Sequence, residues 1–298
     1  MYAIRAIRVL IVEDSAVFRE LLIQNLSRDP AIQIVATAKD PYEARDAIVK
    51  YKPDVMTLDV ELPRMSGIEF LRKLMPQYPL PVVVISALSD KVFDALNAGA
   101  VDFVAKPAVT NRMQLEDFIR NELLVKIKIA STAKIGNIKK TVMNQQQQPL
   151  SAKGKNNIVA IGASTGGTEA ILAVVKEFGT DIPGVVATQH MPVGFTGMYA
   201  KRLNDQCRIQ VKEAQTGDRV MPGRMLLAPG GDEHMHLVKV NGVYQVECRK
   251  GPKVNGHCPS VDVLFESVAK TAGAGAVGII LTGMGGDGAK GLLAMRRA

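Results

Sequence analysis

The stretch RVLIVED at residues 8–14 sets the pattern from which the fold of the first part of the chain is predicted. Four consecutive apolar residues are followed directly by two carboxylates. A short apolar run without alternation is typical of a parallel strand that is buried on both faces. Similar runs follow at residues 32–38, 54–59, 81–86 and 102–105.

Helix-like stretches separate these predicted strands. They begin near Ser15, Pro41, Ser66 and Asp90, and a fifth starts at about Asn111. This alternation predicts a doubly wound α/β domain with a parallel sheet over residues 1–125. In that architecture a functional site forms outside the carboxyl ends of the strands.

Polar residues stand at the predicted carboxyl ends of four strands. They are Glu13 and Asp14 after the first, Asp59 at the third, Ser86 at the fourth and Lys106 after the fifth. These ends face the same side of a parallel sheet, so the side chains should meet in one crevice. Clustered carboxylates repel one another, and oxygen ligands with room for water suit Mg²⁺. The alternative for Asp14 is a structural role as a helix N-cap.

Residues 1–125 resemble the receiver domain of two-component response regulators. The resemblance is carried by the acidic pair, Asp59, Ser86, the aromatic Phe103 and Lys106 followed by Pro107. It implies a flavodoxin-like sheet in which Asp59 accepts a phosphoryl group from a partner histidine kinase. It also implies that Lys106 and Ser86 engage that group, and that a two-state surface including Phe103 responds.

The same resemblance implies a cofactor for phosphorylation. Mg²⁺ would be bound by Glu13, Asp14, Asp59 and the backbone carbonyl of Glu61. These ligands are all oxygen atoms, as Mg²⁺ prefers.

The alternation of strands and helices restarts at Asn157. A buried strand that ends in a Gly-rich turn is predicted for NIVAIGAS, and a helix is predicted for TEAILAVVKEF. A second strand is predicted for VVATQH, and a third strand with its loop for GAVGIILTGMGGDG. The Pro- and Gly-punctuated middle predicts short strands or a hairpin. We therefore predict a second doubly wound α/β domain over residues 157–298. The final helical pattern reaches Ala298 without a Gly or Pro stop signal, so we expect this domain to be truncated.

The formal net charge of +8 is unevenly distributed. The number of Lys and Arg residues minus the number of Asp and Glu residues gives a net charge of −2 for residues 1–125, +7 for 126–155 and +3 for 156–298. The lysine-rich, weakly apolar composition of residues 126–156 therefore predicts a flexible basic linker. The total charge would favour a DNA-binding output domain. We do not expect one, because strands and Gly-rich loops follow the linker where such a domain would have basic helices.

The sequence favours a cytoplasmic protein. Its three cysteines lack Cys-x-x-Cys spacing, which argues against a disulfide framework or a zinc site. The N-terminus has no signal-peptide pattern, and no apolar run approaches the ~20 residues that cross a bilayer. We expect a monomer that neither enters a membrane nor binds nucleic acid.

The turn GASTGG at residues 162–167 lies between a predicted strand and a predicted helix. Gly-rich turns at helix N-termini bind phosphates, but this one fits neither Gly-x-Gly-x-x-Gly nor a P-loop with its lysine. The competing interpretation is a nucleophile turn, because residues 162–166 match Gly-x-Ser-x-Gly after a strand. Ser164 would then project over the helix N-terminus, whose N–H groups would help to stabilise an oxyanion.

A serine nucleophile needs a base and an acid that orients the base. His190 ends the strand VVATQH and Asp287 follows the last strand, so both should lie on the sheet edge that carries Ser164. The structural alternative for His190 is a packed histidine at a strand end. The other histidines, His234, His236 and His257, are less well placed.

Residues 157–298 resemble the catalytic domain of the CheB family of chemotaxis protein-glutamate methylesterases. The motifs are IGASTGG, QHMP at 189–192, APGG at 228–231 and LTGMGGDGAKG at 281–291. The resemblance implies a Rossmann-like domain with Ser164, His190 and Asp287 as catalytic residues. It places Thr165 and Met284 near the oxyanion site.

This resemblance also implies an activity and partners. Family members hydrolyse methyl esters on receptor glutamates, deamidate certain receptor glutamines and need no cofactor for hydrolysis. The partners would be methyl-accepting chemotaxis receptors as substrates and a chemotaxis histidine kinase as phosphodonor. The unphosphorylated receiver would restrain the active site until phosphorylation rearranges the domains. The alternative is a truncated regulator that binds kinase or receptor but does not hydrolyse esters.

Overall fold

A computed structural model describes residues 5–87, 89–107, 112–133, 158–283 and 285–298. The chain forms two compact units, Met1–Ile138 and Lys139–Ala298. Each unit is built on a parallel β-sheet with helices, as predicted. None of the described helices is both long and apolar enough to cross a membrane.

The sheet of the first unit has five parallel strands in the order β2-β1-β3-β4-β5. The strands are β1 (Ile7–Val12), β2 (Ile32–Ala38), β3 (Val55–Asp59), β4 (Val82–Ser86) and β5 (Asp102–Ala105). Every residue of β3 and β4 is buried, as central strands covered on both faces require. The strand order reverses at β1, so right-handed crossovers put helices on both faces. The predicted doubly wound fold is confirmed.

The helices of the first unit begin close to the predicted positions. They are α1 (Ala16–Leu26), α2 (Pro41–Tyr51), α3 (Gly67–Leu74) and α4 (Ser89–Asn97), followed by α5 (Arg112–Phe118), which continues through the π-helical segment Ile119–Leu123 into α6 (Leu124–Ala130). The side chains of Ser15, Asp40 and Ser66 each accept a backbone N–H from the first turn of a helix. Ser15 therefore fills the N-cap position that the alternative interpretation assigned to Asp14.

The predicted start of the basic linker, residue 126, lies inside the last described helix of the first unit. Helix α6 continues to Ala130, because Ile127 and Ala130 are fully buried at helical spacing. Lys126 Nζ donates to Asp102 Oδ1 at 2.9 Å, and Lys128 Nζ donates to Asp29 Oδ2 at 2.6 Å. These two lysines thus pair with acids of the first unit. Residues 134–157, which include the rest of the predicted linker, lie outside the described residues.

The second unit combines a parallel sheet in the order β12-β6-β7-β9-β8 with an antiparallel hairpin, β10-β11. Its elements in chain order are β6 (Ile158–Ala163), α7 (Gly167–Val175), β7 (Gly184–Gln189), α8 (Phe195–Gln206), β8 (Gln210–Glu213), β9 (Arg224–Leu227), β10 (Glu233–Val240), β11 (Val243–Lys250), α9 (Val261–Ala272), β12 (Ala276–Ile280) and α10 (Ala289–Arg297). The three strands predicted in this half, β6, β7 and β12, are adjacent in the sheet. The predicted hairpin is also present.

Two glycines set the spacing between helices and sheet in the second unit. A Cβ at Gly162 in β6 would lie 2.2 Å from Val261 Cγ1, so α9 approaches β6 at a position where no side chain fits. Phe265 of the same helix is fully buried in the core. A Cβ at Gly278 in β12 would lie 2.7 Å from Leu292 Cδ1 of α10. Both helices therefore pack directly onto strand backbone.

Replacing Lys126 with Ala should destabilise the first unit more than replacing Lys128. Asp102 is 5% exposed, and losing its cation leaves a buried carboxylate with less compensation. We expect K126A to lower the free energy of unfolding by about 1–3 kcal/mol. K128A breaks the more exposed Lys128–Asp29 pair, so it should lower the free energy of unfolding by less than about 1 kcal/mol. Urea denaturation of the full chain measures both, and equal losses would contradict the structural role of Lys126.

Candidate active site and phosphorylation site

The backbone of Ser164 is fixed at the end of β6. Its N–H donates to the Thr282 carbonyl at 2.9 Å, and its own carbonyl accepts from the Gly167 N–H and from Gln189 Nε2, both at 2.8 Å. Gly166 has a φ of +73°, in the left-handed region that glycine adopts without strain. The half-buried Ser164 side chain therefore projects from a rigid turn between β6 and α7. This is the strand–turn–helix context that the nucleophile interpretation predicted.

His190 lies between Ser164 and Asp287. Its Nδ1 is 3.0 Å from Ser164 Oγ, and its Nε2 is 2.8 Å from Asp287 Oδ2. A proton on Nε2 facing the carboxylate leaves Nδ1 as an acceptor for the serine proton. In the serine proteases the two ring nitrogens have the opposite partners, but the roles are the same. The structure brings the three predicted residues into one hydrogen-bonded chain.

Asp287 is held at the N-terminus of α9. Its Oδ1 accepts from Ser260 Oγ at 2.6 Å and from Asn255 Nδ2 at 3.0 Å, and its Oδ2 accepts from the Val261 N–H at 2.7 Å. Burial alone would raise the pKa of Asp287. The hydrogen bonds from His190, Ser260, Asn255 and Val261 outweigh burial and hold that pKa well below its usual range. Asp287 is therefore a carboxylate under all ordinary conditions.

Three residues of this site were not predicted from the sequence. Ser260 and Asn255 bind Asp287, and the ring of His257 stacks on the ring of His190 with centroids 3.7 Å apart. The Asn255–Gly256 dipeptide is a recognisable turn signal in the sequence. The contacts of this turn with His190 and Asp287 could not be inferred from the sequence.

The predicted oxyanion residues are only partly described. Thr165 is buried directly after Ser164, and its carbonyl accepts from Thr282 Oγ1 at 3.1 Å. A Cβ at Gly283 would lie 2.7 Å from Ser164 Cβ, so the loop after β12 passes close to Ser164. Met284 lies outside the described residues. The oxyanion roles of Thr165 and Met284 remain predictions.

The predicted acidic crevice of the first unit is built around Lys106. Its Nζ donates to Asp59 Oδ2 at 2.9 Å and to Glu13 Oε2 at 3.1 Å. Glu13 and Asp59 are almost fully buried, whereas Asp14 is exposed. The Glu61 N–H donates to Asp59 Oδ1 at 3.0 Å, which fixes the loop predicted to supply a carbonyl ligand. The side chains expected to meet at the carboxyl ends of β1, β3 and β5 do so.

The carboxylates of this crevice fit a hard divalent cation. Glu13, Asp14 and Asp59 each offer an oxygen, and these oxygens lie within 4.8 Å of one another. Burial and the charge of Asp59 raise the pKa of Glu13 to about 7, although Lys106 opposes this. One ammonium group thus compensates the buried carboxylates incompletely. An oxygen-only donor set with unrelieved negative charge suits Mg²⁺.

The two other predicted receiver residues lie inside the sheet. Ser86 is fully buried at the end of β4, and its carbonyl accepts the Lys106 N–H at 2.8 Å. Phe103 is 2% exposed, and its ring meets Phe93 edge to face with centroids 6.3 Å apart. The predicted switch aromatic therefore occupies an inward position here. Its response to phosphorylation remains a prediction.

Comparison with known proteins gives a consistent family assignment along the chain. The family model for the CheB methylesterase matches residues 159–298, and the model for the response regulator receiver domain matches residues 9–118. A protein-glutamate methylesterase/protein-glutamine glutaminase of Syntrophomonas wolfei is 62% identical over 99% of this chain and 86% of its own length. A protein of the same description from Salmonella typhimurium is 48% identical over 98% of this chain and 84% of its own length.

One solved structure is also similar to part of this chain. The CheB methylesterase catalytic domain of Thermotoga maritima is 37% identical over 48% of this chain and 76% of its own, with a TM-score of 0.47.

Replacing Glu13 with Gln should change how stability depends on pH. Because the pKa of Glu13 rises from 4.5 to about 7 on folding, the folded state retains a proton that the unfolded state releases. The stability that this proton confers is complete below about pH 4.5 and is lost as the pH rises to about 7. At pH 8 without metal, E13Q should therefore be more stable than wild type, by roughly 3 kcal/mol.

Urea denaturation of the full chain at pH 5 and pH 8 measures this difference. Exposed Glu20 provides the control, because E20Q should leave the pH dependence unchanged. Adding Mg²⁺ at pH 8 should stabilise wild type more than E13Q. A gap between wild type and E13Q that does not widen with pH would contradict the assignment.

Proposed function

The chain belongs to the CheB family of protein-glutamate methylesterases, and from that membership we propose how its two sites work. The enzyme hydrolyses glutamate methyl esters on chemoreceptors and deamidates certain receptor glutamines. Phosphorylation of the receiver regulates this activity. The observation that carries the proposal is the Ser164–His190–Asp287 chain, with contacts of 3.0 and 2.8 Å.

Acylation begins at Ser164. Its Oγ attacks the ester carbonyl carbon while His190 Nδ1 takes the hydroxyl proton, which leaves an oxyanion on the former carbonyl oxygen. The ionised Asp287 stabilises the imidazolium through Nε2. Backbone N–H groups at the start of α7, with Thr165 and Met284 in the expected roles, stabilise the oxyanion. Collapse of this intermediate breaks the bond to methoxide, which leaves as methanol after taking the proton from Nδ1.

Deacylation repeats the cycle with water. His190 removes a proton from water, the hydroxide attacks the acyl carbon, and the proton returns to Ser164 Oγ as the glutamate is released. A glutamine side chain follows the same route with ammonia as the leaving group. The hydrolysis needs no cofactor in this scheme, because the nucleophile, base and orienting acid are all side chains. The complete triad also favours an enzyme over the non-catalytic regulator considered from the sequence.

The first unit supplies the control. Asp59 accepts a phosphoryl group from a histidine kinase, and Lys106, 2.9 Å from Asp59 Oδ2, is placed to pair with the new charge. When bound by Glu13, Asp14, Asp59 and the Glu61 carbonyl, Mg²⁺ would neutralise phosphoryl oxygens during the transfer. Ser86 and Phe103 would relay the change to the receiver surface. The cytoplasm, where kinase and receptor tails are accessible, is the expected location, and a monomer is the expected state.

Ser164→Ala should abolish methanol release. Without Oγ no acyl-enzyme forms, so the rate should fall at least about a thousandfold. The measurement is methanol released from radiomethylated receptor membranes by the full chain. The exposed hydroxyl of Ser27 in the first unit gives the matched control, S27A, which should remain fully active. Substantial activity in S164A would refute the nucleophile assignment.

Asp59→Asn should separate regulation from chemistry. The amide cannot form the acyl phosphate, so a small-molecule phosphodonor with Mg²⁺ should stimulate wild type but not D59N. Basal hydrolysis should persist, because Asp59 belongs to the first unit and the triad to the second. The assay is methanol release with and without the phosphodonor. If the phosphodonor stimulates D59N as strongly as wild type, Asp59 is not the phosphoacceptor.

A further inference from the structure

The ring of His190 is held at its edge and also on one face. Its two nitrogens face Ser164 and Asp287, and the imidazole of His257 lies parallel to it, with centroids 3.7 Å apart and planes 10° apart. Hydrogen bonds to the two nitrogens fix their distances, but they lie near the ring plane and resist rocking of the ring out of that plane only weakly. A flat group against the ring face blocks that rocking. The stack therefore restrains the degree of freedom that the triad bonds restrain only weakly.

His257 is presented by a two-residue turn. Its N–H donates to the Val254 carbonyl and its carbonyl accepts the Val254 N–H, both at 2.9 Å. Between them Asn255 has a φ of 51° and Gly256 a φ of 82°. Two successive left-handed residues closing a pair of backbone hydrogen bonds form a type I′ turn, for which Asn-Gly is strongly preferred. The backbone that carries His257 is thus rigid.

The same turn reaches the third member of the triad. Asn255 Nδ2 donates to Asp287 Oδ1 at 3.0 Å and to Asp262 Oδ2 at 2.8 Å. Asp262 is buried, and its Oδ1 accepts the Gly291 N–H at 2.7 Å. One turn therefore contacts both the base and the acid, and it is tied to α9 and α10.

His234 fixes both ends of the loop that contains this turn. Its Nε2 donates to the Pro252 carbonyl at 2.9 Å, and its Nδ1 accepts the Ser260 N–H at 3.1 Å. The His234 side chain is buried, and a Cβ at Gly251 would lie 2.9 Å from its ring. His234 thus fixes residues 252–260 as an ordered loop, although this loop belongs to neither the sheet nor the hydrophobic core.

The surroundings of His257 favour a neutral ring. Burial lowers its pKa to about 4, and His190 and Lys253 act in the same direction while Asp287 opposes them. A neutral ring does not repel the imidazolium that forms on His190 during catalysis. A second cation at 3.7 Å would repel it.

We propose that His257 is a positioning residue for hydrolysis, whose ring holds the imidazole of His190 in the plane that joins Ser164 to Asp287. The Asn255–Gly256 turn and His234 keep that ring in place. This inference rests on the proposed function, because it assigns His190 as the base. His257 does not touch the reacting atoms, so its effect should fall on the rate of the chemical step and leave substrate binding unchanged.

The test compares His257→Ala with His257→Phe in the full chain. Alanine removes the ring that stacks on His190, whereas phenylalanine retains a flat ring that needs no hydrogen bond. We expect H257A to lower kcat about 10- to 100-fold with KM within about twofold of wild type, since small misplacements of a catalytic group cost about this much. H257F should recover kcat to within about threefold. His236 on β10 gives the matched control, H236A, which should resemble wild type.

A second readout separates this inference from the proposed function. The rate at which a fluorophosphonate probe labels Ser164 reports the nucleophile and its base without any receptor substrate. H257A should slow labelling and H257F should restore it, even if receptor esters prove not to be the substrate. Full labelling in H257A, or equal slowing in H257A and H257F with unchanged unfolding midpoints, would overturn the positioning role. Failure of wild type to release methanol, with normal labelling, would overturn only the proposed substrate.

Discussion

The buried charge of Asp287 is the constraint on which the site of the second unit depends. Both carboxylate oxygens are occupied, by His190 and the Val261 N–H on one side and by Ser260 and Asn255 on the other. Two of these donors belong to the N-terminus of α9, where the helix dipole favours an anion. A buried carboxylate is costly unless it is compensated in this way. The base, the helix and the loop after β11 are thereby fixed to one another through a single group.

The parallel sheet brings the three residues of the proposed triad together. Strands β12, β6 and β7 are adjacent, and Gly162 is paired with Ile280 on one side and Thr188 on the other. Each strand is followed by one member of the triad, so residues more than 120 positions apart meet at one edge. The first unit uses the same arrangement at β1, β3 and β5 to gather carboxylates and a lysine. Both sites follow from the rule that parallel strands end on the same side.

Sequence patterns predicted the parts that local periodicity determines. Both sheets, the starts of α1, α2 and α3, and the meeting of Ser164, His190 and Asp287 could be inferred because strand ends mark positions in a parallel fold. The predicted linker start at residue 126 lies inside helix α6, because Lys126 and Lys128 were counted only as charges, although they pair with Asp102 and Asp29 in the folded unit. The contacts of His234, Asn255 and His257 were not predicted, since loop-to-loop contacts leave no periodic signal.

Gly162 connects the nucleophile motif to the acid of the triad. It is the first glycine of Gly-x-Ser-x-Gly, yet the group nearest to its missing side chain is Val261, the first residue of the helix that holds Asp287. Substitution at Gly162 should therefore displace the acid before it disturbs the serine. The glycine at this position sets the distance between a strand and a helix that lies about 100 residues further along the chain. A motif that looks local in the sequence thus records a long-range packing requirement.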